Sequence, residues 1–126
     1  MKPARGLGVA GLLGFTAVAF GAFGAHGLRA RLSPAMLEIY KTGALYHLVH
    51  AVAALAVALA GERLRRGRLI LKLFTAGVVI LAGSLYALAL TGIGVLGAIT
   101  PLGGLALLAG WACVALEGWS GGKRAV

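Results

Sequence analysis

The chain has 126 residues, 60% of them hydrophobic and only 12% charged, with a formal net charge of +9. Soluble domains carry about 25% charged residues, so a water-soluble fold of this size would lack the polar surface to cover its core. The positive charge would suggest a nucleic-acid partner in a soluble protein. Here the basic residues fall between long uncharged runs and read as lipid-headgroup contacts and orientation signals, with no nucleic acid expected.

Those runs are Gly6 to Ala25 (20 residues), Thr42 to Gly61 (20) and Leu73 to Leu116 (44). About 20 helical residues cross a hydrocarbon core of ~30 Å, so the first two runs make one span each and the third makes two. The expectation is an all-α membrane protein, a single domain over residues 1–126 with helices at about 6–26, 34–61, 71–91 and 101–119, packed as a compact left-handed bundle.

The first helix opens behind Lys2 and Arg5 and closes on "GAFGAHGL". A charged start, an apolar run and small residues also describe a secretory signal. Signal cores run about 7–15 residues, and this run is longer, so a retained span is expected. Arg29 and Arg31 follow, then Ser33-Pro34, an N-cap residue before a proline at the first helical position. The second helix is expected from Pro34 to Gly61, ~42 Å at about 1.5 Å per residue. Its first turns would project through the outer headgroups, with Tyr40 and Tyr46 at that boundary.

The second connection, "ERLRRGRLILK", supplies Arg63, Arg65, Arg66, Arg68 and Lys72 as headgroup contacts. Glu62 stands four residues before Arg66, a spacing that suits a helical ion pair extending the second helix. Glu38 reads as a surface partner of Arg29, Arg31 or Lys41. The third connection, "TGIGVLGAITPLGG", is uncharged. Thr100-Pro101 repeats the cap-plus-proline signature, so the fourth helix is expected to begin there and to reach Trp119 at the inner boundary. Thr91 to Ile99 would be an apolar turn lying against the outer mouth of the bundle, since irregular backbone at membrane depth needs cover.

Lys2, Arg5, the five cations of the second connection, Lys123 and Arg124 total nine, against Arg29, Arg31 and Lys41 on the other side. The positive-inside rule then places both termini in the cytoplasm of a bacterial cell, with the chain in its cytoplasmic (inner) membrane.

Small residues recur at spacings of three and four: Ala10, Gly14, Ala17, Gly21 and Gly24 in the first helix, His47, Ala51, Ala54, Ala58 and Gly61 in the second, and Gly103, Ala106, Gly110 and Cys113 in the fourth. In lipid, where apolar expulsion does not drive association, such a seam lets helices approach closely, and the 3–4 alternation is that of a left-handed bundle. The seam puts His47 inside, with His50 one turn along and Tyr46 beside it. His26 lies at a similar depth, so three histidines from two helices are expected to converge on the outer half, with Thr100 completing a polar cluster.

"GAFGAHGL", then "YKTGALYHLVHA", then "ITPLGG" followed by a tryptophan resemble one family. The chain is similar to the domain-of-unknown-function 423 family of small four-helix bacterial inner-membrane proteins. The resemblance implies recurring roles for Gly21, Gly24, His26, Gly27, Tyr46, His50, Thr100, Pro101, Gly103, Gly104 and Trp111. The family pattern has glutamine where this chain has His47, which weighs against any mechanism that requires an imidazole there. It implies a fold and no reaction, substrate or cofactor.

Three sharper readings are set against a bland one. His26, His47 and His50 are weak metal-ligand candidates, since three imidazoles with an open position suit zinc. Histidines in a membrane also suggest movement of protons or a small solute, but no Asp, Glu, Lys or His continues the path through the inner half. An enzyme lacks support: no carboxylate pair or nucleophile–base spacing is visible, and "GIGVLG" does not follow a strand. The expected reading is a structural or accessory membrane bundle, alone, as a homo-oligomer or as a subunit of a larger complex, without a cofactor. Its polar cluster would be His26, Tyr46, His47, His50 and Thr100.

Overall fold

The computed structural model describes residues 3–121; Lys2, Lys123 and Arg124 of the charge count lie outside them. The chain order is α1 (Pro3–Phe23), a π-helical turn (Gly24–Leu28), α2 (Pro34–Ala60), a 3₁₀ turn (Gly61–Arg63), α3 (Gly67–Thr91) and α4 (Leu96–Ser120). All four helices are long and apolar enough to cross a membrane. Their outward surface is apolar, with Phe15, Leu59 and Leu108 among the exposed side chains, while His47, His50, Ser84 and Glu117 are buried. That distribution is the inverse of a soluble fold and fits a lipid surround.

Local chemistry sets three of the helix ends. Ser33 caps α2 as its spacing predicts, its hydroxyl accepting from the Met36 N–H at 3.2 Å with proline in the first turn. Gly61 ends α2 at φ 58°, ψ −129°, a backbone state that side-chain-bearing residues avoid. The expected Glu62–Arg66 helical pair is therefore not formed: the chain leaves the helix before it. Gly92, at φ 72°, closes α3 in the left-handed conformation.

The start of α4 corrects the sequence reading. The helix begins at Leu96 and carries Pro101 in its interior, so Thr100 is not a cap and the turn shrinks to Gly92–Val95. Nine apolar residues without helical bonds would leave many polar backbone groups unsatisfied at membrane depth, each costly there. Helix from Leu96 onward forgoes only the one bond that proline cannot donate.

The helices pack in chain order, α1 on α2, α2 on α3 and α3 on α4, while α1 and α4 share no more than marginal contact. The expected compact bundle is thus open along one edge. Lipid tails solvate an apolar helix as well as another helix does, so only faces with close-packing residues are drawn together. On α1 that face is Gly6, Ala10, Leu13 and Ala17, continued by Gly24 of the π turn. Between α3 and α4 it is glycine: a Cβ on Gly103 would lie 2.4 Å from the Leu81 backbone nitrogen, one on Gly77 2.4 Å from Leu107, and one on Gly110 2.5 Å from Phe74.

Candidate functional site

The polar interior is organised by α2. His47 and His50 are buried at 5% and 4% exposure, one turn apart on the small-residue face, and Ala51 and Ala54 continue it. His47 Nε2 lies 3.0 Å from Thr16 Oγ1 of α1, and its Nδ1 lies 2.9 Å from Tyr86 Oη of α3. The Thr16 hydroxyl donates to the carbonyls of Leu12 and Leu13 at 2.9 and 3.0 Å. It therefore accepts from Nε2–H, which leaves Nδ1 to accept from the Tyr86 hydroxyl.

His50 shows the opposite tautomer. Its Nδ1 is 2.8 Å from the Tyr46 carbonyl, which only accepts, so this nitrogen carries the proton. The Trp111 indole N–H of α4 donates to Nε2 at 2.9 Å. Each ring thus has the one-donor, one-acceptor pattern of a neutral imidazole with both nitrogens engaged. Aromatic faces pack around them: Phe20 stacks on Tyr86 at 4.5 Å between centroids, and Phe74 meets Trp111 at 5.0 Å and the edge of His50 at 5.4 Å.

Not every expected member joins this cluster. His26 is exposed on the π turn, and the three histidines do not converge. Its spacing explains why: two residues from buried Gly24 carries a side chain about halfway round a helical turn. Tyr46 is 42% exposed and contributes its carbonyl and a ring stacked 6.0 Å from His50. Thr100 lies apart, bonded to Ser84 Oγ at 2.6 Å across α3 and α4. Tyr40 does not present its ring to lipid or headgroups: it is 1% exposed, and its hydroxyl donates to the Phe20 carbonyl at 2.6 Å. A π turn disturbs the regular ladder of the helix around it, and this carbonyl lies one turn before it.

The family-implied glycines divide. Gly24 is needed, since a Cβ there would come within 2.4 Å of the Tyr40 ring. Gly27 sits tightly against Phe23, Gly104 only loosely against Leu81, and Gly21 has open space where a Cβ would go. Pro101 is exposed on α4, whereas Trp111 belongs to the site.

Among the basic residues, Arg63, Arg65, Arg68 and Lys72 are exposed. Arg66 is not a plain headgroup contact. Its guanidinium lies 3.6 Å from the carboxylate of Glu117, which is 5% exposed, and its backbone N–H donates to the same carboxylate. This contact clips the end of α4 onto the α2–α3 connection. Glu38 pairs with Lys41 at 3.7 Å on the surface.

Thr16 and Tyr86 are absent from the cluster that the sequence predicts. Tyr86 shares a face with Val78 and Ala82 at a spacing of four, a signal that pointed inward. Thr16 had no comparable signal.

Four apolar helices around a buried histidine–aromatic network define an integral membrane protein of the multi-span, all-helical class. Residues 20–104 match the family described as "Protein of unknown function (DUF423)", and the chain belongs to that family. It is 43% identical over 98 residues to the UPF0382 membrane protein YwdK of Bacillus subtilis, covering 75% of this chain and 80% of the relative. A UPF0382 membrane protein of Haemophilus influenzae is 43% identical over 105 residues, covering 82% and 85%. The UPF0382 membrane protein C1782.12c of Schizosaccharomyces pombe is 36% identical over 113 residues, covering 82% and 92%. No solved structure matches the chain.

Proposed function

We propose that the protein is a non-catalytic structural or accessory bundle of the bacterial cytoplasmic membrane, in which His47 and His50 hold four helices in one register. One observation carries this reading: through two rings α2 reaches Thr16 of α1, Tyr86 of α3 and Trp111 of α4. Cross-helix hydrogen bonds in membranes are worth about 0.6–2 kcal/mol each. That is modest singly, but it is directional in alanine- and glycine-rich helices that otherwise slide. A metal would have to displace the Tyr86 or Trp111 donor from the only free lone pair of its ring. A proton relay from His47 ends on the Leu12 and Leu13 carbonyls.

The orientation belongs to the same proposal. Arg5 and the Arg63–Lys72 group lie on one side and Arg29, Arg31 and Lys41 on the other, which favours cytoplasmic termini. The 3–4 seam favours a left-handed crossing. The apolar outer faces of α1 and α4 leave room for lipid, a second copy or a larger complex.

The test is His50→Ala, which removes the acceptor of the Trp111 N–H. The melting temperature in detergent is expected to fall by several degrees, with no effect on proton flux in liposomes. An unchanged melting temperature, or a pH-dependent flux that the substitution abolishes, would overturn the reading.

A further inference from the structure

α1 and α3 both begin at the end of the molecule that carries the α2–α3 connection. There they leave a cleft of about 700 Å³ between them, whose lining includes Arg5 and Val9 of α1 and Arg68, Leu71, Lys72 and Ala76 of α3, with the Thr75 hydroxyl turned onto the Leu71 carbonyl. Its lining holds three cations and no acid. Among the described residues the ion pairs are Lys41–Glu38 and Arg66–Glu117, so no carboxylate neutralises these three. Arg68 and Lys72 are one turn apart on a single face of α3. Val9 and Ala76 lie a further turn along each helix, so the cleft grades from cationic to apolar over ~12 Å from Arg68 to Ala76, at about 1.5 Å per residue.

From this gradient we infer a bound-lipid site: the cleft takes one anionic glycerophospholipid, with its phosphate at Arg5, Arg68 and Lys72 and an acyl chain along Val9, Leu71 and Ala76. The charge complementarity selects the occupant. Arginine holds phosphate oxygens in a bidentate fork and lysine adds a flexible point charge, while the apolar residues beyond them match an acyl chain and offer nothing to a free hydrophilic anion. Arginine and lysine stems can cover apolar surface while their charged heads reach the headgroup level, as such a site requires. Arg63 and Arg65 are also basic and exposed but line no part of this cleft, which separates a discrete site from general attraction to an anionic leaflet. A lipid there would also fill the edge where α1 and α3 barely touch.

Native mass spectrometry of the full chain in detergent, titrated with phosphatidylglycerol or phosphatidylcholine, tests the site. One phosphatidylglycerol is expected to be retained with at least a tenfold preference over phosphatidylcholine. The combined Arg5→Gln, Arg68→Gln and Lys72→Gln variant is expected to lose that preference, and Arg63→Gln with Arg65→Gln to keep it. Ala76→Phe fills the apolar end without altering charge and is expected to reduce retention of either lipid. All these positions are exposed, and circular dichroism is the check that each variant is folded. Equal loss in both charge variants, equal retention of the two lipids, undiminished binding in Ala76→Phe, or retention of inorganic phosphate without lipid would each overturn the inference.

Discussion

His47 bonds through both of its nitrogens, and this sets what can replace it. A glutamine amide offers a donor and an acceptor, as the neutral ring does, whereas leucine matches the volume and offers neither. A buried donor or acceptor left without a partner costs about 1–3 kcal/mol. His47→Leu should therefore destabilise the protein in detergent more than His47→Gln, by on the order of 1 kcal/mol, measured by thermal or denaturant unfolding. Equal losses would show that the ring acts by its shape and not its bonds. Inwardness was legible at this scale: the small-residue spacing on α2 placed His47 and His50 on the buried face. Their partners were not, because Thr16, Tyr86 and Trp111 lie 31, 39 and 61 residues away in sequence. No local pattern encodes a meeting at such separations.

At the level of whole helices, glycines of one composition do different work. Gly103 faces the Leu81 backbone so closely that its Cβ would sit 2.4 Å from a main-chain nitrogen, whereas Gly14 of α1 has nothing within 4 Å. Gly103→Ala must push α3 and α4 apart and should cost about 1–3 kcal/mol, the range for overpacking. Gly14→Ala should be neutral or stabilising by up to about 1 kcal/mol, because alanine is the better helix former. Melting temperatures of the two variants check this, and equal effects would refute the assigned close approach. Helix ends were legible where a residue acts on its own backbone, as Ser33 does at the α2 cap. The same signature at Thr100-Pro101 misled, because in an apolar stretch the need to satisfy the backbone outweighs a local start signal.

For the molecule as a whole, orientation has a direct experimental consequence. In a Cys113→Ser background, single cysteines replacing Arg65 and Arg31 should react oppositely with a membrane-impermeant maleimide on intact cells. The Arg31 position should be labelled and the Arg65 position protected until the membrane is opened. The reverse pattern would invert the topology and move the lipid cleft to the outer leaflet. Glu117 belongs to this scale too. Its burial against Arg66 joins the last helix to the middle connection. That contact arises only when α4 has packed back along α3.

The sequence alone determined that this protein lives in a membrane, that it crosses four times, and which face of α2 turns inward. Hydropathy, charge and small-residue spacing are properties of contiguous chain, and the bilayer reads them segment by segment. Tertiary structure decided that His26 stands outside the cluster, that Tyr40 is buried, that the bundle stays open along one edge, and which side chains answer the two imidazoles. Those outcomes depend on how each helix is rotated against its neighbours. In lipid that rotation is set by a few close contacts, such as Gly103 on Leu81 and Gly24 beneath Tyr40, and not by any general drive to hide apolar surface.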